Sequence, residues 1–146
     1  VFDEMRELEE FFMTLQRNGM AMIELYEQVQ ACGNILPRLY LLICVGSVYI
    51  RSKQVPAKDI LKDLVEMAKG VQQPMRGLFL RNYLTHMSRD KLPDVGSPYE
   101  GEGGNVQDAY EFILQNFAET NRLWVRLQTQ VRTCAINNTT ICVDYI

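Results

Sequence analysis

Residues 35–50 read ILPRLYLLICVGSVYI and carry a single charge, Arg38. From 39 to 50 the apolar residues run all round a helix instead of along one stripe, which marks a helix buried on every side. Pro37 suits the first turn of that helix, where its missing N–H would be unpaired anyway and its φ is already helical. The stretch is too short to cross a bilayer, since a span needs about 18 or more apolar residues. Other helices, or a partner, must therefore surround it.

Arg38 is the exception in that stretch. A cation near a helix N-terminus sits at the positive end of the macrodipole, so its own helix disfavours it. Beside Pro37, Leu39 and Tyr40, its guanidinium needs a carboxylate or several carbonyls to offset partial desolvation. Two readings stay open: an internal ion pair with Glu24 or Glu27 on the preceding helix, or the carboxylate of a partner protein. Physical chemistry alone leans to the internal pair, because interior ion pairs are commonly structural.

Around this stretch the pattern is helical. Phe2, Met5, Leu8, Phe11, Phe12 and Leu15 repeat at three- and four-residue spacing with acids on the other face, and Ile23, Tyr26 and Val29 resume the period after Gly19. Gly33-Asn34 is a stop signal. Pro56 opens a helix over 57–69 that buries Ile60, Leu61, Leu64, Val65 and Ala68, and Gly70 ends it. Pro74 starts another, carrying Leu78, Phe79, Tyr83, Leu84 and Met87, with Arg76, Arg81 and Arg89 expected on a solvated face. Residues 94–105 (DVGSPYEGEGGN) are a surface loop, and Asn105 is an N-cap for the last long helix. On that helix Val106, Tyr110, Ile113, Phe117, Leu123, Trp124 and Leu127 are expected to form the apolar side, with Trp124 in the core. Residues 131–146 (VRTCAINNTTICVDYI) are β-branched and polar without helical period, so an atypical tail, aberrant or disordered, is expected there, apart from a 1–130 helical-repeat segment.

Composition bounds function mainly by exclusion. Of 146 residues, 47% are hydrophobic, which fits neither a disordered chain nor a membrane protein. The net charge of −3 argues against nucleic acid, whose binders usually carry a basic stripe. No secretory leader is expected, as no basic-then-apolar run opens the chain. Cys32, Cys44, Cys134 and Cys142, with sequons at Asn137 and Asn138, would suit a secreted four-helix-bundle signalling protein with two disulfides. Apolar helical context around Cys32 and Cys44 favours reduced thiols. One histidine, His86, argues against a mixed-ligand metal site, and no nucleophile elbow or phosphate loop is present, so no enzyme, metal or cofactor is expected. Leu39-Tyr40-Leu41 and Leu78-Phe79-Leu80 echo each other near two helix starts, as stacked helical pairs would.

The run PRLYLL at Pro37, Arg38, Leu39, Tyr40, Leu41 and Leu42 resembles the signature of the large helical subunit of retromer. Collinear blocks strengthen it: LYEQVQACGNILPRLYLLICVGSVYI, KDILKDLVEMAKGVQQPMRGLFLRNYL, SRDKLPD and FILQNFAETNRLWVRLQ, together spanning residues 25–128. The resemblance implies an all-α, HEAT-like α-solenoid of antiparallel helix hairpins, of which this would be the N-terminal portion. It also implies a non-enzymatic scaffold of a coat that retrieves cargo from endosomes to the Golgi or plasma membrane. PRLYLL would bind the arrestin-like retromer subunit. A sorting nexin, cargo tails and a late-endosomal Rab GTPase are the further partners implied, with a cytoplasmic location and membrane contact only through them.

Overall fold

The computed structural model describes residues 2–136, with side chains through residue 133. At its centre lies the apolar stretch, helix α3 (Ile35–Arg51), in which every residue from 42 to 50 is buried. Before it come α1 (Phe2–Arg17) and α2 (Met22–Gln30). After it come α4 (Ala57–Ala68), α5 (Pro74–Ser88), a 3-10 turn (Arg89–Lys91) and α6 (Val106–Ile136). Among the described residues β-structure is limited to a single bridge between Gly101 and Gly104 in the long loop. The chain is an all-α fragment of a helical solenoid.

Contacts give the helix directions. The Cys44 thiol donates to the Met5 carbonyl at 3.6 Å, Ser47 donates to Glu9, and Arg51 donates to the Met13 thioether at 3.3 Å. Both sequences advance together, so α1 runs parallel to α3. Arg38 meets the end of α2 while the Tyr26 ring lies 6.1 Å from that of Tyr49, so α2 and α3 form an antiparallel hairpin. On α5 and α6, Gln72 accepts from Arg126 at 2.7 Å and Arg81 donates to Asn116 at 3.1 Å, again antiparallel. Helix α4 fits against α3 at Gly46, where a Cβ would sit 3.1 Å from Ile60 Cγ2 and 3.2 Å from Leu64 Cδ1. A side chain there would require Ile60 and Leu64 to give by a few tenths of an ångström.

Start signals behave as their chemistry demands. Pro74 occupies the first turn of α5, and the Gln73 side chain accepts from the Arg76 N–H. Asn105 and Asp108 cap α6 reciprocally: the Asn105 N–H donates to Asp108 at 2.9 Å and the Asp108 N–H to Asn105 Oδ1 at 3.0 Å. His86 is exposed and packs edge-on to Phe2 at 5.5 Å.

Four sequence expectations are corrected. Helix α6 continues to Ile136, so residues 131–136 are helical. A long amphipathic helix, once nucleated, extends at little cost through residues of middling propensity. The rest of the expected tail, with Cys142 and both sequons, lies outside the described residues. Second, the inner side of α6 is Ala109, Phe112, Asn116 and Leu123, while Tyr110, Ile113, Phe117 and Trp124 face outward. The helix carries two apolar stripes, and periodicity cannot tell which one the fold covers. Third, Arg81 is not on a solvated face; it is 1% exposed. Fourth, Glu9 is buried although its neighbouring acids are on the polar side of α1. Phe11, Ile23 and Phe79 also stand exposed at apolar positions of α1, α2 and α5.

Candidate partner-binding site

PRLYLL begins in the first turn of α3, just after the turn that follows α2. The structure divides its six residues by the geometry of a helix entering a core. Leu39 and Leu42 point inward and are buried, Pro37 is exposed, and Arg38, Tyr40 and Leu41 are half-buried. Tyr40 packs its ring 5.4 Å from that of Tyr83 on α5, and burial pushes its phenol pKa upward. Leu39 and Leu42 therefore hold the helix in place, while Pro37, Arg38 and Leu41, together with the exposed Ile35, are what a partner could touch.

Arg38 does not pair with Glu24 or Glu27. Its Nη1 donates to the Cys32 carbonyl at 3.1 Å and, at 3.5 Å, to that of Gln30. These carbonyls close the C-terminal end of α2, where a helix presents unpaired acceptors and the negative end of its dipole. The cation that α3 disfavours at its own N-terminus is thus placed where α2 favours it. Of the two ways to satisfy the guanidinium, carbonyls prevail over a carboxylate. The arrangement also fixes the α2–α3 turn, and with it the exposed start of α3.

A family-wide sequence profile described as vacuolar protein sorting-associated protein 35 matches residues 1–140. The chain belongs to this family. Vacuolar protein sorting-associated protein 35B of Arabidopsis thaliana is 64% identical over 129 residues, 88% of this chain. The vacuolar protein sorting-associated protein 35 of Dictyostelium discoideum is 63% identical over 118 residues, 81% of the chain. That of Schizosaccharomyces pombe is 47% identical over 110 residues, 73% of the chain. The chain spans only 16% of the Arabidopsis relative, 15% of the Dictyostelium one and 13% of the fission-yeast one. Family membership leaves no ground for the secreted-bundle alternative. Cys32 is an exposed free thiol and Cys44 a buried one, not joined to each other.

Two polar clusters escaped the sequence reading. The Glu9 carboxylate is a hub: it accepts from Ser47 and lies 3.7 Å from the Lys91 ammonium and 3.6 Å from Arg51. Lys91 is 3% exposed and also donates to the Met87 carbonyl at 2.7 Å. Burial lowers its pKa, and the Glu9 charge works against that shift. The hub ties α1, α3 and the 3-10 turn together. In the second cluster Arg81 and Asn116 are both buried, and Asn116 donates in turn to Thr85 at 2.8 Å. Burial lowers the Arg81 pKa, with Glu119 opposing. A signal for both existed: Glu9 falls on the Met5–Phe12 stripe, and Arg81 on the line of Gly77, Leu84 and Ser88. Among the described residues no group of three or more acids, cysteines or histidines is arranged to hold a metal, and no helix is long and apolar enough to cross a membrane.

Proposed function

We propose that this chain acts as a non-enzymatic scaffold segment of retromer, and that the start of α3 is where the arrestin-like retromer subunit docks. The observation that carries the reading is family membership together with an exposed, rigidly held PRLYLL turn. Pro37, Arg38 and Leu41 form the accessible side, Tyr40 the half-buried flank, and Leu39 and Leu42 the anchor. Through that subunit and its associates (a sorting nexin, cargo tails, a late-endosomal Rab GTPase) the segment serves retrieval of cargo from endosomes, at their cytoplasmic surface. Recognition works by shape and by one partly desolvated cation, which suits a coat better than a catalyst.

The test is calorimetry of Arg38→Ala against the purified arrestin-like subunit, with a melting curve beside each variant. Losing a charge partner across an interface costs about 2–5 kcal/mol, or roughly 30- to several-thousand-fold in affinity. The lost contact to the end of α2 accounts for no more than about 1 kcal/mol of folding stability. Arg38→Lys should recover only part of the binding, because a point ammonium cannot replace a planar fork. Unchanged affinity with a lowered melting temperature would confine Arg38 to capping α2 and refute the docking role.

A further inference from the structure

Residues 94–105 connect the 3-10 turn after α5 to α6, yet they also serve a third helix. Helix α4 begins at Ala57 after Pro56, and no side chain caps it. Its Lys58 N–H belongs to the first turn, whose donors a helix leaves unpaired. The Gly103 carbonyl takes it up at 2.9 Å, so the cap comes from the far side of α5. That carbonyl is held by the loop's own geometry. Gly101 and Gly104 exchange two backbone hydrogen bonds, of 2.9 and 3.2 Å, and close a tight turn that includes Gly103. A Cβ on Gly103 would collide with the Tyr99 carbonyl. Gly104 has a φ of +135°, and a Cβ there would lie 3.1 Å from Pro93, 3.1 Å from Asp108 and 3.2 Å from Lys58. The loop therefore threads between its own start, α6 and α4 at a point that suits glycine.

Two further contacts shape the segment. The Ser97 hydroxyl donates to the Leu92 carbonyl at 2.8 Å and accepts from the Tyr99 N–H at 3.1 Å. Lys53, just past the end of α3, adopts the left-handed conformation that glycine favours, with a φ of 56°. Its ammonium stands 6.0 Å from the centre of the Tyr99 ring, within reach of the ring face. Both ends of the α3–α4 turn are thus gripped, one at Lys53 and the other at Lys58. The grip is mostly polar. Tyr99 packs against the core, but Val95 is 74% exposed. A cavity of about 350 Å³ remains between the loop and the α3–α4 turn, lined by Ile50, Val55, Pro56, Pro98 and Tyr99 among others. A segment with so little buried apolar contact opens at lower cost than the helices beneath it.

We infer that residues 94–105 form a strap that caps α4, locks the α3–α4 pair to the α5–α6 pair, and opens as a unit while the helices stay folded. The lock lies at the end of α3 opposite the PRLYLL turn. Opening bares the first turn of α4 and frees the two helix pairs to shift against each other.

Amide hydrogen exchange of the 146-residue chain, read residue by residue by NMR, tests the strap. Lys58 should be protected although it lies in a first helical turn. Its opening should match those of Gly101 and Gly104, and all three should exchange well before Val48 in the middle of α3. Gly103→Ala should speed exchange at Lys58 about 2- to 30-fold, the loss of one helix cap, with Val48 unchanged. Ser97→Ala is the milder variant: it removes both hydroxyl bonds, should accelerate Lys58 in the same direction, and should keep the parental helical circular dichroism. Glu102→Ala, at an exposed strap position, should exchange like the parent. An unprotected Lys58, a Lys58 as slow as Val48, or rates unchanged in both Gly103→Ala and Ser97→Ala would overturn the strap. Equal acceleration in Glu102→Ala would overturn it as well.

Discussion

Removing the Glu9 carboxylate should destabilise this fold more than removing any exposed charge. Glu9→Ala strips Lys91 of the carboxylate beside it while leaving the ammonium 3% exposed, with only the Met87 carbonyl at 2.7 Å. Breaking one side of a buried ion pair costs about 3–5 kcal/mol, because the other charge stays desolvated. Ser47 loses its acceptor at the same time, a loss of about 1–3 kcal/mol that overlaps with the first and does not simply add. Arg51 contributes less, since its side chain is 38% exposed and a screened pair is worth under about 1 kcal/mol. The expected total is therefore about 3–5 kcal/mol, read from urea midpoints, with Arg51→Ala losing under about 1 kcal/mol as control. Lys91→Met in the Glu9→Ala background should recover about 2 kcal/mol or more, because it removes the orphaned charge and leaves a chain of similar volume. A Glu9→Ala loss below about 1 kcal/mol, or a double variant as unstable as the two singles summed, would refute the hub as a buried, mutually dependent cluster.

Two further outcomes follow from burial. Leu42→Ala and Leu64→Ala should each cost about 2–5 kcal/mol in urea midpoints, while Lys62→Ala on the exposed side of α4 stays within about 0.5 kcal/mol; coincident midpoints would mean that α3 is not the buried centre. Burial pushes the Cys44 thiol up to about 12 from an ordinary value of 9.0. Its contribution to stability is then fully present below pH 9.0 and is lost as pH rises toward 12, because the unfolded chain releases that proton first. Between pH 8 and 10 the parent should lose about 1 kcal/mol more than Cys44→Ala; equal losses would contradict a desolvated thiol.

How much of this was legible beforehand depends on the kind of residue asked about. Where a helix is apolar on every side, as over residues 39–50, its place in the centre follows from the residues alone, since no orientation would expose it acceptably. Pro56, Pro74 and the Asn105–Asp108 cap are equally local: fixed φ and a reciprocal pair of hydrogen bonds act within one turn, so the breaks sit where the letters put them. The PRLYLL run, with the collinear blocks around it, likewise carried the family resemblance in the letters alone.

Facing was another matter. Helix α6 has one stripe through Ala109, Phe112 and Leu123 and another through Tyr110, Phe117 and Trp124. Both satisfy a helical period, and only the position of α4 and α5 decides which is covered. Arg81 and Glu9 read as surface charges because charge is usually solvated; each is buried because a neighbouring helix brings Asn116 or Lys91 to it from far along the chain. Arg38 shows the same limit in reverse. Its need for a partner was visible in the sequence, but the partner proved to be the carbonyl end of α2, which exists only once the hairpin has closed. Local chemistry determined where the helices start and stop and which one is central. Long-range packing alone decided which faces meet, because a side chain's burial belongs to the neighbours it acquires.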